Sequence, residues 1–184
     1  METFSRSPAI TRRSASGTAL RDGHVWLVAD RGTVHAHGAI SAVNADGSGG
    51  TVETTGSALD IVGANVSAGL WKLGSPTFTL DGSNAATLAS NLGNGTSVDV
   101  EATGANGQSG NLQVNSNMQW SGGASLTLGA AHNVTTAPNV TIRNTGTGDL
   151  TLRADANAVD NGGSVINHGT IDWSASKGSV CCTT

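Results

Sequence analysis

The sequence predicts an all-β chain wound as a parallel β-helix, and three observations carry that reading. Gly, Thr, Ser and Asn together supply 83 of the 184 residues, against 12% charged and 3% aromatic residues and no Tyr. So little Lys, Arg and Glu excludes a long helix or a coiled coil. The hydrophobic residues are still 37% of the chain, and they fall in short alternating runs punctuated by Gly, Asn and Asp, the pattern of strands joined by tight turns. Finally, alternations beginning at Leu126, Val134, Val140, Leu150, Val165 and Ile171 start 8, 6, 10, 15 and 6 residues apart. Strands that short and close suit a solenoid with three strands per coil better than a sandwich.

The elements follow in order. Residues 1–22 hold several arginines but no apolar stretch of signal-peptide length, and they are expected to form a poorly ordered N-terminal segment. The solenoid domain is expected over 23–180, with 181–184 as a tail. Alternation places strands at 24–30, 33–38, 39–44, 51–55, 58–62 and 65–68, with Arg31–Gly32 and the loop 45–50 as turns. After a break, strands are predicted at 97–102, 111–116, 125–130, 133–136, 139–144, 149–154, 164–169 and 170–175. One helix is predicted over 84–92: Ser83 or Asn84 can cap it, Leu88 and Leu92 lie four apart on one face, and Gly93 fits its stop. Pro76 and Pro138 belong at corners, where a missing N–H costs no ladder bond.

Charge and chemistry narrow the function. Nine basic against thirteen acidic residues leave no basic footprint for nucleic acid. No apolar run approaches the roughly 18 residues that span a bilayer. Cys181 and Cys182 are adjacent, so no disulfide framework exists; they read as an incidental terminus, with a metal or redox role as the alternative. Asp60, Asp99, Glu101, Asp149 and Asp155 are the carboxylates a glycosidase would draw on. Asp99 and Glu101 share one side of a strand and could hold a cation, but carboxylates at strand alternation also suit a solvated face. A lyase would want a basic proton acceptor, and the only lysines are Lys72 and Lys177. His35 and His37 also share one side, yet no Asp, Glu or Cys stands near them in sequence to complete a metal set. The loop N-A-D-G-S-G-G at 44–50 resembles a calcium-binding Gly-Asp repeat but occurs once. With no phosphate-binding loop present, neither metal nor cofactor is expected.

Of the aromatic residues (Phe4, Phe78 and four tryptophans), Trp26 and Trp71 sit in apolar runs and read as core. Trp120 and Trp173 have more polar neighbours and are the candidates for stacking on a sugar ring.

Residues 49–71, G-G-T-V-E-T-T-G-S-A-L-D-I-V-G-A-N-V-S-A-G-L-W, resemble the exported passenger proteins of two-partner secretion, the filamentous haemagglutinin and high-molecular-weight adhesin family. The family's Gly-Gly-x-Val-Glu-Thr-Ser-Gly segment, apolar strand with Asp and Trp-Leu-type strand correspond to Gly49, Gly50, Val52, Glu53, Thr54, Thr55, Gly56, Leu59, Asp60 and Trp71. A later stretch, from the helix-like 84–103 through 111–173, resembles the family's further pattern, so the resemblance covers about residues 24–180. Where the family usually reads Leu-Leu-Asp-Pro after the Trp, this chain has Lys72, Leu73, Gly74 and Ser75, with Pro76 displaced. The resemblance implies a right-handed β-helix and a non-enzymatic structural or adhesive segment of a secreted bacterial surface exoprotein. It further implies an outer-membrane two-partner transporter for the full-length parent, and a host glycan or surface receptor as ligand. A β-helix carbohydrate-active enzyme and the stalk of a contact-dependent toxin exoprotein are the alternative functions. The family's secretion domain does not precede these residues, so the chain is expected to be an internal fragment that stays in the cytoplasm and associates end to end when expressed alone.

Strand alternation puts Val140 and Ile142 on one side and Thr141 on the other. Ile142→Asp should therefore cost several kcal/mol by burying an unpaired charge, while Thr141→Asp should be near neutral; comparable denaturation midpoints for the two variants would refute this register.

Overall fold

Three-residue strands with one apolar row cannot form a core alone, and they gain one by stacking on the next turn of chain. The computed structural model describes residues 23–44, 46–156 and 162–184; the segment 1–22 expected to be poorly ordered, with Phe4, lies outside the described residues. The first coil holds β1 (His24–His35) and β2 (Gly38–Ser41), the second β3 (Thr51–Asp60) and β4 (Ala64–Ser67). The third holds β5 (Leu70–Ser75), β6 (Phe78–Leu80) and a helix, α1 (Gly82–Gly93). The fourth holds β7 (Ser97–Ala102), β8 (Leu112–Val114) and β9 (Met118–Trp120), and the fifth β10 (Leu126–Ala130), β11 (Val134–Thr136) and β12 (Thr141–Asn144). In the sixth are β13 (Leu150–Arg153), β14 (Val165–Asn167) and β15 (Thr170–Asp172), after which β16 (Val180–Thr183) opens a further coil.

The result is a parallel β-solenoid of about six turns. Its long wall runs β1-β3-β5-β7-β10-β13-β16, a second wall runs β6-β8-β11-β14, a third runs β9-β12-β15, and β2 pairs with β4. One row of the long wall is Val25, Val52, Trp71, Val98, Leu126, Leu150 and Val180, spaced 27, 19, 27, 28, 24 and 30 residues apart, buried from Val52 to Leu150 and exposed at Val180. Beside it run Leu27, Thr54, Leu73, Val100, Leu128, Leu152 and Cys182. Thr54 is a polar member of a buried row, and it is satisfied because the Trp71 indole N–H donates to its hydroxyl at 3.0 Å. The second wall stacks Phe78, Leu112, Val134 and Val165, and the third stacks Met118, Ile142 and Ile171. Val140 and Ile142 are buried and Thr141 lies outward, as alternation required.

Corners set how closely coils approach. A Cβ on Gly49 would lie 2.2 Å from the Gly69 backbone nitrogen, and one on Gly146 would lie 2.2 Å from that of Gly122. These turns stack backbone on backbone, and only a residue without a side chain fits.

Several sequence expectations need correction. Residues 24–35 form one strand, with a register shift between Ala29 and Thr33 instead of the predicted turn at Arg31–Gly32. Strand β5 coincides with the Trp-Leu-type strand that the resemblance assigned to Trp71, whereas β6 and β9 were not anticipated, because three residues carry too little periodicity. The first three residues of the expected tail belong to β16, held on β13 by a register that sets Cys182 against Leu152. Finally, α1 begins earlier than predicted, capped by Asp81, whose carboxylate accepts from the Ser83 and Asn84 amides.

Helix α1 packs against β4, β6, β7 and β9, which places it where a third-wall strand would stand. Leu88 and Leu92 face the core as predicted. A helix cannot offer a strand its backbone, so side chains meet the exposed groups of β4 instead. Asn91, 1% exposed, accepts from the Val66 amide at 2.7 Å and donates to the Ala64 carbonyl at 2.9 Å. Thr96 donates to the Val66 carbonyl at 2.7 Å, and the Thr87 hydroxyl accepts from the Gly63 amide at 3.1 Å. Asn91→Ala should cost about 2–4 kcal/mol by stranding this buried donor and acceptor, whereas Ser90→Ala on the exposed face should stay within about 0.5 kcal/mol. Chemical denaturation followed by Trp fluorescence measures both, and equal effects would remove Asn91 from this role.

Candidate functional site

The β1–β3 pairing sets His35 directly opposite Asp60. The Ala36 amide donates to the Asp60 carbonyl at 2.8 Å, which carries the extended geometry one step past the end of β1. Ala36 turns into the core and His37 returns to the outer face. Nδ1 of His35 and Nε2 of His37 each lie 2.9 Å from Oδ2 of Asp60. The two rings stand edge to face, 6.0 Å apart at 87°. The hydrogen bond from His37, then that from His35, holds the Asp60 carboxyl below its ordinary pKa. Among the described residues this is the one group of three or more His, Cys, Asp or Glu side chains whose donor atoms converge, all within 4.8 Å of one another. The sequence displayed the two histidines and hid the aspartate, which lies a coil away. Only the register of the coils makes it a neighbour.

The expected Asp99 and Glu101 pair does share the outer face, but in other company. The outer rows of the long wall place Lys72 beside Asp99, and Gly74, Glu101, Gly129 and Arg153 in succession. Arg153 forms an ion pair with Glu101 across Gly129, a residue with no side chain to intervene. A Cβ there would lie 2.5 Å from the Glu101 carboxylate oxygens. Burial raises the pKa of both carboxyls, opposed by the nearby Arg153 and Lys72 charges. Glu101 is paired with Arg153, and the Arg153 and Lys72 charges act on both carboxyls.

The remaining carboxylates serve the backbone. Asp149 accepts from the Ser179 amide at 2.7 Å and its hydroxyl at 2.9 Å, which ties β16 to the sixth coil. The Asp155 carboxylate accepts from the Gly163 amide. In the 44–50 loop Asp46 accepts from the amide and hydroxyl of Ser48, closing a local turn. Cys181 and Cys182 are free and exposed on β16.

The aromatic assignments change. Trp120 is 3% exposed and donates to the Ala124 carbonyl at 2.9 Å, so it fills the core and offers no face to a sugar. Trp173 is half-buried, meets Trp120 edge to face at 5.5 Å and donates to the Gly148 carbonyl at 3.2 Å. Its polar sequence neighbours point outward while its ring closes the third wall. Trp71 is core as expected, but Trp26 is 58% exposed. It occupies the outward row of β1 opposite Glu53, beside the His24 ring at 4.8 Å.

A scan against protein-family models and searches of curated proteins and of solved structures each find no match. The reading of the site therefore rests on its own geometry.

A double-mutant cycle on Glu101→Gln and Arg153→Met should give a coupling of about 1 kcal/mol, in line with a half-exposed pair. The same cycle in a Gly129→Val background should give about zero, because the new side chain separates the partners. A coupling unchanged by Gly129→Val would refute the bridge.

Proposed function

We propose that this chain is a non-enzymatic structural and adhesive segment of a large secreted bacterial surface exoprotein of the filamentous haemagglutinin type. The observation that carries the reading is the uninterrupted parallel wall from β1 to β16. It turns short, chemically plain strands into a continuous lateral surface of Thr and charged side chains, with Trp26 and Val28 exposed on β1. Such a surface suits display and attachment: it is extended and mixes polar and apolar side chains, and its Glu101 carboxylate is paired with Arg153. The family-like stretch 49–71 forms the second coil and the start of the third, so the resemblance and the architecture fall on the same residues. In this reading the parent chain leaves the cell through an outer-membrane two-partner transporter and meets a host glycan or receptor at the bacterial surface.

The test has two arms. The purified chain should bind host cells or immobilised glycans saturably and leave pectin, alginate and peptidoglycan intact, and the parent gene should lie beside one for a two-partner transporter. Cleavage of any of these polymers would replace the reading with a carbohydrate-active enzyme. Absence of both binding and transporter gene would overturn it.

A further inference from the structure

We propose that His35, His37 and Asp60 form a binding site for a divalent transition-metal ion of the zinc class, clamping the first coil to the second. The inference rests on geometry at this one point of the fold and is independent of the adhesive reading.

Two imidazoles and one carboxylate are the donor set of zinc, copper and nickel sites, whereas calcium and magnesium take oxygen ligands. The spacing is close to what such an ion needs. Zinc bonds of about 2.0–2.2 Å put tetrahedral donors about 3.3–3.6 Å apart. Here Oδ2 of Asp60 lies 2.9 Å from each imidazole nitrogen, and all three donors lie within 4.8 Å. The histidines are exposed and Asp60 is half-buried, so rotation of the side chains can widen the two 2.9 Å contacts by about half an ångström and draw the imidazole nitrogens together by about an ångström around an ion. The backbone already fixes the approach: His35 and Asp60 are register partners, and the Ala36 amide is bonded to the Asp60 carbonyl. Three protein donors leave a further position facing solvent, for water or a donor from another molecule.

The electrostatics separate this cluster from the other acidic positions of the outer face. Asp99 and Glu101 have Arg153 and Lys72 beside them, and Asp172 has Arg143 at 3.3 Å. The groups that act on the Asp60 carboxyl are the two imidazoles and the Val62 backbone, with no Lys or Arg among them. The two residues that face it can therefore surrender their contacts to a cation, which a fixed guanidinium cannot do.

The mechanical role follows from position. The two histidines come from the first coil and the aspartate from the second, so an ion binding all three cross-links the coils. Anything that binds the folded form alone stabilises it by mass action.

The test uses the untagged chain, stripped with a chelator, and Zn²⁺ and Co²⁺ as probes. Calorimetry should show about one equivalent bound, and Co²⁺ should give the visible bands of a low-coordinate nitrogen and oxygen site. The thermal midpoint should rise by several degrees at saturating Zn²⁺. His37→Gln and Asp60→Asn should each weaken binding about tenfold or more, in the range that perturbed metal sites show, and abolish the thermal shift. Both positions are on the outer face, so the circular dichroism of the apo variants should match wild type. A Cys181→Ser, Cys182→Ser variant controls for the other soft donors and should bind as wild type does. The proposal falls if wild type binds neither ion, if His37→Gln and Asp60→Asn bind equally well, or if binding disappears with the cysteines.

Discussion

A coil of a parallel solenoid has no hydrogen-bond ladder within itself. Every strand N–H and C=O that points along the axis must be met by the next coil, and a buried group left unmet costs about 1–3 kcal/mol. This requirement governs the rest of the molecule. It holds β1 through β16 in one continuous wall, and it forbids slippage, because a one-residue shift would turn each inward row outward. It also explains the third coil. There a helix stands in place of a strand, and Asn91, Thr87 and Thr96 offer amide and hydroxyl groups to β4. Side-chain chemistry supplies there what backbone supplies elsewhere.

The same requirement leaves coil length free. Successive turns take between 19 and 30 residues, yet the inward rows stay aligned because the variation falls in corners, in the helix and in the register shift between Ala29 and Thr33 of β1. The site on β1 and β3 is a product of this arrangement. Asp60 meets His35 because the intervening corner and strand return the chain to the same axial line one step further on. Arg153 meets Glu101 because Gly129 leaves its step of the row empty.

These facts also mark what was legible in the sequence. Alternations such as N-V-T-I-R-N, with Ile142 inward and Thr141 outward, stated both the strand and its facing, and their close succession stated the solenoid. Leu88 and Leu92 stated the helix and its buried side. Strands as short as F-T-L and M-Q-W hold a single alternation and could not be separated from loop. Unequal turns meant that no fixed period revealed which residues stack. For that reason His35 and His37 were visible as a pair and Asp60 was not visible as their partner. Burial of tryptophan was equally hidden: Trp26 sits in an apolar run yet occupies an outward row, while Trp120 sits among polar residues yet faces the core.

Unequal coils have a consequence under load. The inter-coil bonds of a solenoid run along its axis while the chain runs around it, so tension applied through the two chain ends opens an end coil first and advances like a zip. Each coil released would pay out roughly 60 to 100 Å of chain, at about 3.4 Å for each of its 19 to 30 residues. A fibre built of such turns lengthens in discrete, unequal steps while every coil still closed keeps its shape. A pull on its ends would be spread over many separate openings.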